Sequence, residues 1–258
     1  MTVSVVTVTY NAAETVADAV QSVIGQKGDF HLDYHIVDGG SRDGTLERIR
    51  PFEYRIAEIT TGPDDGLYDA MNRGVARVKG DIVGILNADD RFADDRVIAD
   101  VLGAFEAIDA DGIYADLDYV DAEDGETVTR RWISGQPGDF RKGWMPPHPT
   151  LFVRREIYEQ HGLFNLSLHS AADYELMLRF FHFRGAELAY LPRVTVKMRA
   201  GGQSNASLAN RLKANAEDGE AWRLNGARPP ALLRLRKPLR KIGTVRGPLT
   251  GRENQRML

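Results

Sequence analysis

The sequence predicts an α/β fold, a doubly wound and mainly parallel sheet with helices on both faces. Three observations carry this. Strand-like segments alternate with helical ones as far as residue 115, the order of a parallel sheet built from β-α units. The run Ile82-Val83-Gly84-Ile85-Leu86 lacks polar alternation, as a strand covered on both faces does. It ends in Asn87-Ala88-Asp89-Asp90, and Gly/Asp-rich turns follow the second and third strands, so the polar chemistry gathers at the carboxyl edge where open sheets bind ligands.

Residues 3–9 read as the first strand, and Asn11 is placed to cap a helix over 13–23, where Val16, Ala19, Val20 and Val23 recur at helical spacing. Residues 34–37 form the second strand, and the turn Asp38-Gly39-Gly40-Ser41-Arg42-Asp43-Gly44-Thr45 follows. A helix begins at 46–49 and stops at Pro51. The third strand is expected at 55–59, then the loop Thr61-Gly62-Pro63-Asp64-Asp65-Gly66 and a helix over 68–78. Strand 82–86, helix 97–108 and strand 112–115 complete the alternation.

Beyond residue 115 the pattern changes. Residues 119–132 read as a hairpin turning at Glu123-Asp124-Gly125, 150–153 as a strand and 156–161 as a short helix. A helix over 173–183, strands at 188–191 and 194–198 around Pro192, a break at Gly201-Gly202 and a polar helix over Leu208–Leu224 follow. The chain divides into residues 1–225, with halves 1–115 and 116–225, and a tail, 226–258.

The composition is that of a globular protein: 43% hydrophobic, 27% charged and free of cysteine, which excludes disulfides, thiol nucleophiles and cysteine metal sites. The N-terminus alternates like a strand and has no basic leader, and no apolar run reaches spanning length. The net charge of −4 is unevenly spread: residues 221–258 carry ten Lys/Arg against one acid, leaving −13 on 1–220. In the tail Leu232, Leu235, Leu239 and Ile242 interleave with Arg234, Arg236, Lys237, Arg240 and Lys241. This pattern suits an anionic membrane surface, or alternatively a solvated basic tail; it lacks the aromatics of a nucleic-acid binder.

Asp89 and Asp90 are adjacent carboxylates with no Lys or Arg before Arg91. They repel one another unless a cation lies between them, and a divalent metal carrying a phosphorylated substrate suits the place. The plainer alternative is two solvated acids opening a loop. No dinucleotide fingerprint or phosphate-binding Gly-Lys-Ser/Thr loop is present, and the six histidines lack metal spacing.

Five motifs stand in order: Thr9-Tyr10-Asn11-Ala12; the turn from Asp38 to Thr45; Asp65-Gly66-Leu67-Tyr68-Asp69-Ala70-Met71-Asn72-Arg73-Gly74; Asn87-Ala88-Asp89-Asp90; and Ala172-Asp173-Tyr174-Glu175-Leu176-Met177-Leu178-Arg179. Together they resemble the family 2 glycosyltransferases across residues 3–225. The resemblance implies the GT-A nucleotide-diphospho-sugar fold and sugar transfer with inversion at the anomeric carbon. It also implies a divalent metal, Mn2+ or Mg2+, a UDP, TDP or GDP donor, and a saccharide or lipid-linked acceptor. The expected setting is bacterial polysaccharide or glycolipid synthesis in the cytoplasm, peripheral to the membrane if the tail binds it.

Carried onto this chain, the resemblance assigns Thr9, Asn11, Asp38, Asp65, Asn72, Asn87 and Asp89 to the donor. Asp89 and Asp90 hold the metal, Asp173 is the general base, and His148, stiffened by three prolines, lines the acceptor pocket. Each has a structural alternative: a turn for Asp38, a scaffold for Asn72, a helix cap for Asp173 with Ser170, packing for His148. Asp43 is expected to shape its turn, Asp69 to be a helix-terminal charge and Glu175 to be solvated. Two departures stand out: Gly39 where the family has a second acid, and Asn87 where its Asp-x-Asp motif begins. They leave room for a donor-binding relative without catalysis. A sugar-1-phosphate nucleotidyltransferase would need a Gly-rich, Arg-containing loop after the first strand, which this chain lacks.

Overall fold

The computed structural model describes residues 1–200, 208–231, 233, 245 and 246. The expected break at Gly201-Gly202 and most of the basic tail lie outside the described residues. Strands β1 (Thr2–Thr9), β2 (His31–Asp38), β3 (Glu58–Thr61) and β4 (Ile82–Asn87) form a parallel block in the order β4-β1-β2-β3. Helices α1 (Val16–Ile24), α2 (Thr45–Ile49) and α3 (Leu67–Val75) link them. The register sets Thr9 beside Asp38 and Val8 beside Asn87, so these polar residues share one edge.

Strand β5 (Asp90–Phe92) and helix α4 (Val97–Ala107) lead into the second half. There β6 (Gly112–Val120) and β7 (Val128–Trp132) form the expected antiparallel hairpin. Strand β8 (Phe152–Arg154) joins the halves by pairing antiparallel with both β4 and β6. After α5 (Arg155–His161) and α6 (Ala172–Leu178), β9 (Leu188–Arg199) runs parallel to β6 and antiparallel to β5. Helix α7 (Leu208–Leu224) packs mainly on α6, and β10 (Val245–Arg246) extends the sheet beside β7.

The sheet has a core on each face. Val16, Val20 and Val23 of α1 and Val97, Ile98, Val101 and Phe105 of α4 cover one. Ala70, Met71 and Val75 of α3 cover the other, with Tyr174, Leu176 and Met177 of α6 and Trp222 of α7. Gly74 permits the close seat of α3, since a Cβ there would stand 2.3 Å from Cγ1 of Val6.

Several boundaries differ from expectation. The helix after Asn11 starts at Val16, and Asn11 does not cap it: at φ 48° it is a left-handed turn residue. The second helix ends at Ile49 before Pro51, as expected, but Arg50–Arg55 follow as a 3-10 helix that takes Pro51 in its first turn and moves β3 to 58–61. The expected helix over 173–183 is α6 followed by a π-helical turn, Arg179–Phe183. The two strands expected around Pro192 are one, β9; its pairing passes from Ala115–Leu191 to Asp116–Val194, so Pro192 falls in a bulge that needs no N–H donor.

Candidate active site

At the end of β4 the chain turns back into β5 within three residues, which carries Asp90 inward. Asp90 is buried and Asp89 partly so. Burial pushes Asp90 well above the usual carboxylate range, and the charge of Asp89 adds to the effect. Burial also raises Asp89, with Arg199 opposing. Nδ2 of Asn87 donates to Oδ2 of Asp90 at 3.2 Å. Among the described residues three buried oxygens on this edge have no hydrogen-bond partner: Oγ1 of Thr9, Oδ1 of Asn87 and Oδ1 of Asp90. Unpaired oxygens beside two carboxylates are a donor set for a hard divalent cation. Among the described residues no three His, Cys, Asp or Glu side chains cluster closely enough to hold a metal.

Other residues expected at the donor have work inside the fold. Asp38 is buried, and its Oδ2 accepts from the N–H groups of Gly40 and Ser41, both at 3.0 Å, and from the hydroxyl of Thr61 at 2.8 Å; the Ser41 hydroxyl takes Oδ1. Its carboxylate therefore builds the turn. Asn11 clasps that turn from the β1 side: its N–H donates to Oγ of Ser41 at 2.8 Å and its Oδ1 accepts from the N–H of Arg42 at 3.0 Å. Asp43 shapes the same turn, as expected, through Thr45 and the N–H of Ala13.

Asn72 takes up the scaffold alternative in this structure. Its amide forms a closed pair with the Phe164 backbone, Nδ2 to O at 2.9 Å and N–H to Oδ1 at 2.8 Å, which consumes both ends. Asp65 is exposed before α3, and Asp69 pairs with Arg73 at 2.7 Å. Sequence reasoning missed Asp64. Its Oδ1 accepts from the N–H of Gly66 at 3.0 Å, and its Oδ2 stands 2.5 Å from where a Cβ on Gly39 would be. A carboxylate from the β3–α3 loop thus overlies the position where a second acid was expected.

On the other half, Asp173 is the second residue of α6. The hydroxyl of Tyr68 donates to its Oδ1 at 3.2 Å. Tyr68 stacks on Phe164 with centroids 5.6 Å apart, and His148 meets the same Phe164 edge-on at 5.8 Å. Burial lowers the pKa of His148, and the charge of Asp173 opposes that shift. Tyr68, Phe164 and His148 thus pack as one aromatic cluster, with the Tyr68 hydroxyl on Asp173. Asp173 does not cap α6, whose N-cap is Ala171 with no side-chain cap bond. Glu175 is not solvated: it is buried, paired with Arg179 at 3.0 Å and bonded by Asn225 at 3.0 Å.

A sheet that passes from a parallel block into a mixed block, with a paired acid at the junction, has the architecture of the GT-A transferases. Residues 4–185 match the profile of glycosyl transferase family 2, and the chain belongs to that family. A PGL/p-HBAD biosynthesis glycosyltransferase of Mycobacterium tuberculosis is 31% identical over 214 residues, 78% of each chain. An uncharacterised glycosyltransferase of the same species is 32% identical over 181 residues, 69% of this chain and 68% of its own length. Among solved structures, Staphylococcus aureus TarS 1–349 in complex with UDP-GlcNAc shares the fold at TM-score 0.70 and 17% identity. That match covers 87% of this chain and 65% of TarS 1–349. The mannosyltransferase PcManGT of Pyrobaculum calidifontis, in complex with GDP-Man and Mn2+, matches at TM-score 0.64 and 19% identity over 92% of this chain and 71% of its own.

Proposed function

We propose that this chain is an inverting glycosyltransferase that moves a sugar from a nucleoside-diphosphate donor to a hydroxyl acceptor. The observation that carries the reading is the set of unpartnered buried oxygens on Thr9, Asn87 and Asp90 beside Asp89. Asp89 and Asp90 would hold a divalent ion, Mn2+ or Mg2+. When bound, such an ion supplies Lewis-acid stabilisation of charge on the departing diphosphate. Thr9 and Asn87 contribute neutral oxygens to the donor, and Asp64 on Gly39 offers a carboxylate to a nucleobase N–H.

Asp173 takes the proton of the acceptor hydroxyl as its oxygen bonds to the anomeric carbon. The bond from that carbon to the diphosphate breaks on the opposite face, and the configuration inverts. Tyr68 holds the carboxylate in place, and His148 with Phe164 bounds the acceptor. The complexes of TarS with UDP-GlcNAc and of PcManGT with GDP-Man and Mn2+ support a nucleotide-sugar donor and a metal. The name of the PGL/p-HBAD biosynthesis relative favours a bacterial glycolipid acceptor.

The test is release of nucleoside diphosphate from a panel of UDP-, TDP- and GDP-sugars with Mn2+. Asp173→Asn should keep donor affinity and lose about two decades of turnover or more. Asp89→Asn and Asp90→Asn should each abolish Mn2+-dependent donor binding while leaving the fold intact. Turnover near wild type in Asp173→Asn would refute the base assignment, and unchanged Mn2+-dependent binding in both Asp variants would refute the metal assignment.

A further inference from the structure

What fixes the start of α6 lies on α7, beyond the segment that matches the family profile. Oε2 of Glu217 accepts from three successive backbone N–H groups: His169 at 3.0 Å, Ser170 at 2.7 Å and Ala171 at 3.1 Å. Three charge-assisted donors on one carboxylate oxygen hold a turn that has no side-chain cap of its own. Further along α7, Nε1 of Trp222 donates to the Tyr174 hydroxyl at 3.0 Å, and Nδ2 of Asn225, just past its end, donates to Oε1 of Glu175 at 3.0 Å. The residues on both sides of Asp173 in sequence are therefore held by α7, while Asp173 itself faces Tyr68.

We propose that Glu217 is a positioning residue for Asp173, and that α7 acts on the reaction by gripping the turn that aims the base. The proposal rests on the reading of Asp173 as general base. A base must lie within hydrogen-bond reach of the hydroxyl it deprotonates, and a displacement of about 1 Å costs up to about a hundredfold in rate. Loss of the Glu217 carboxylate frees three N–H groups and lets the turn relax. The donor side, on β1 and β4, stays as it was.

The experiment compares Glu217→Ala, Glu217→Gln, Trp222→Phe and Asp173→Asn in the full chain. Turnover is read with whichever panel nucleotide sugar the wild type cleaves fastest, and affinity by calorimetry with the matching nucleoside diphosphate and Mn2+. Glu217→Ala should lower kcat about 10- to 100-fold with nucleotide affinity unchanged. Glu217→Gln, whose carbonyl oxygen still reaches the three N–H groups, should recover kcat to within about threefold of wild type. Trp222→Phe breaks the α7 bond to Tyr174 but leaves the turn held by Glu217, and should cost clearly less kcat than Glu217→Ala. If Glu217→Ala does not fold, Glu217→Asp takes its place; its shorter reach should cost about tenfold in kcat. Wild-type kcat in Glu217→Ala (or in Asp, where it stands in) overturns the proposal. So does an equal loss in Trp222→Phe, or a fall in nucleotide affinity in step with kcat. An active Asp173→Asn would instead remove the base reading, whatever Glu217 does.

Discussion

The hydroxyl of Tyr68, at the start of α3, donates to Oδ1 of Asp173, at the start of α6, at 3.2 Å and across 105 residues of sequence. The bond ties the helix that follows the donor-side loop to the helix that carries the base. Burial raises the pKa of Tyr68, and the charge of Asp173 raises it further, so the phenol stays protonated and donates. Tyr68→Phe keeps the ring stacked on Phe164 and removes only the donor. A hydrogen bond to a charged group contributes about 1.5–3 kcal/mol, so turnover should fall about tenfold or more. Nucleoside diphosphate affinity should not change, as measured by calorimetry. Turnover at the wild-type rate would leave the bond without a part in catalysis.

Gly39 and Asp64 allow a second test. The Gly39 backbone is not in the left-handed region, so Ala is admissible there, but its Cβ would meet Oδ2 of Asp64 at 2.5 Å. The carboxylate is the far end of a side chain on a partly exposed loop, held by the single N–H of Gly66, and can swing away at little cost to the fold. Gly39→Ala should leave the unfolding free energy within about 0.5 kcal/mol of wild type, as surface substitutions do. It should weaken nucleoside diphosphate binding, and Asp64→Asn should weaken it in the same direction. Full affinity in both variants would show that the base is read elsewhere.

The sequence shows the donor edge more plainly than the network behind it. The apolar run of β4 and the acids after it are local signals, and so is the helix that starts with Asp173. Strand β5 has three residues, too few for a period, so Asp90 reads as a loop residue although it is buried. Asp38 and Asn72 look like ligands by motif. The turn N–H groups of Gly40 and Ser41 on Asp38 are local and legible, but Thr61 at 23 residues from Asp38 and Phe164 at 92 from Asn72 are set by the fold and leave no local trace. Glu217 is hidden for the same reason, on a polar helix 46–48 residues from the turn it holds. Asp64 carried a signal that could have been read: a missing acid at Gly39, with two acids in the next loop.

Asp90 should trade stability for metal binding. A buried carboxylate with one unpaired oxygen is costly without a cation, and burial makes the neutral form easier. Asp90→Asn has the same shape without the charge. In the presence of a chelator it should unfold at a higher temperature than wild type. In wild type, Mn2+ with nucleoside diphosphate at about a hundredfold Kd should add about 2.7 kcal/mol, and in Asp90→Asn that increment should vanish. Differential scanning calorimetry of both proteins in both conditions reads the two effects. A destabilised, Mn2+-responsive Asp90→Asn would show that this oxygen is not a metal ligand.

His148 gives the molecule a pH dependence of known sign. Its ordinary value is 6.5, and burial beside Phe164 lowers it in the folded state, with the charge of Asp173 opposing. Below pH 6.5 the unfolded chain takes up a proton that the folded protein resists. The unfolded state then binds more protons, so stability rises with pH through this window and is lost as pH falls below 6.5. One such group contributes at most about 1.4 kcal/mol per pH unit. His148→Gln keeps a polar side chain of similar length and removes the titration. Urea unfolding at pH 7.5 and pH 5.5 should show wild type losing more stability than His148→Gln across the interval. His182, lowered in the same direction by burial, is common to both proteins and cancels in the comparison. Equal losses in the two proteins would mean that His148 titrates in the fold as it does in the open chain. A smaller loss in wild type would mean that Asp173 dominates its surroundings, and the pocket would then hold His148 as a cation beside the base.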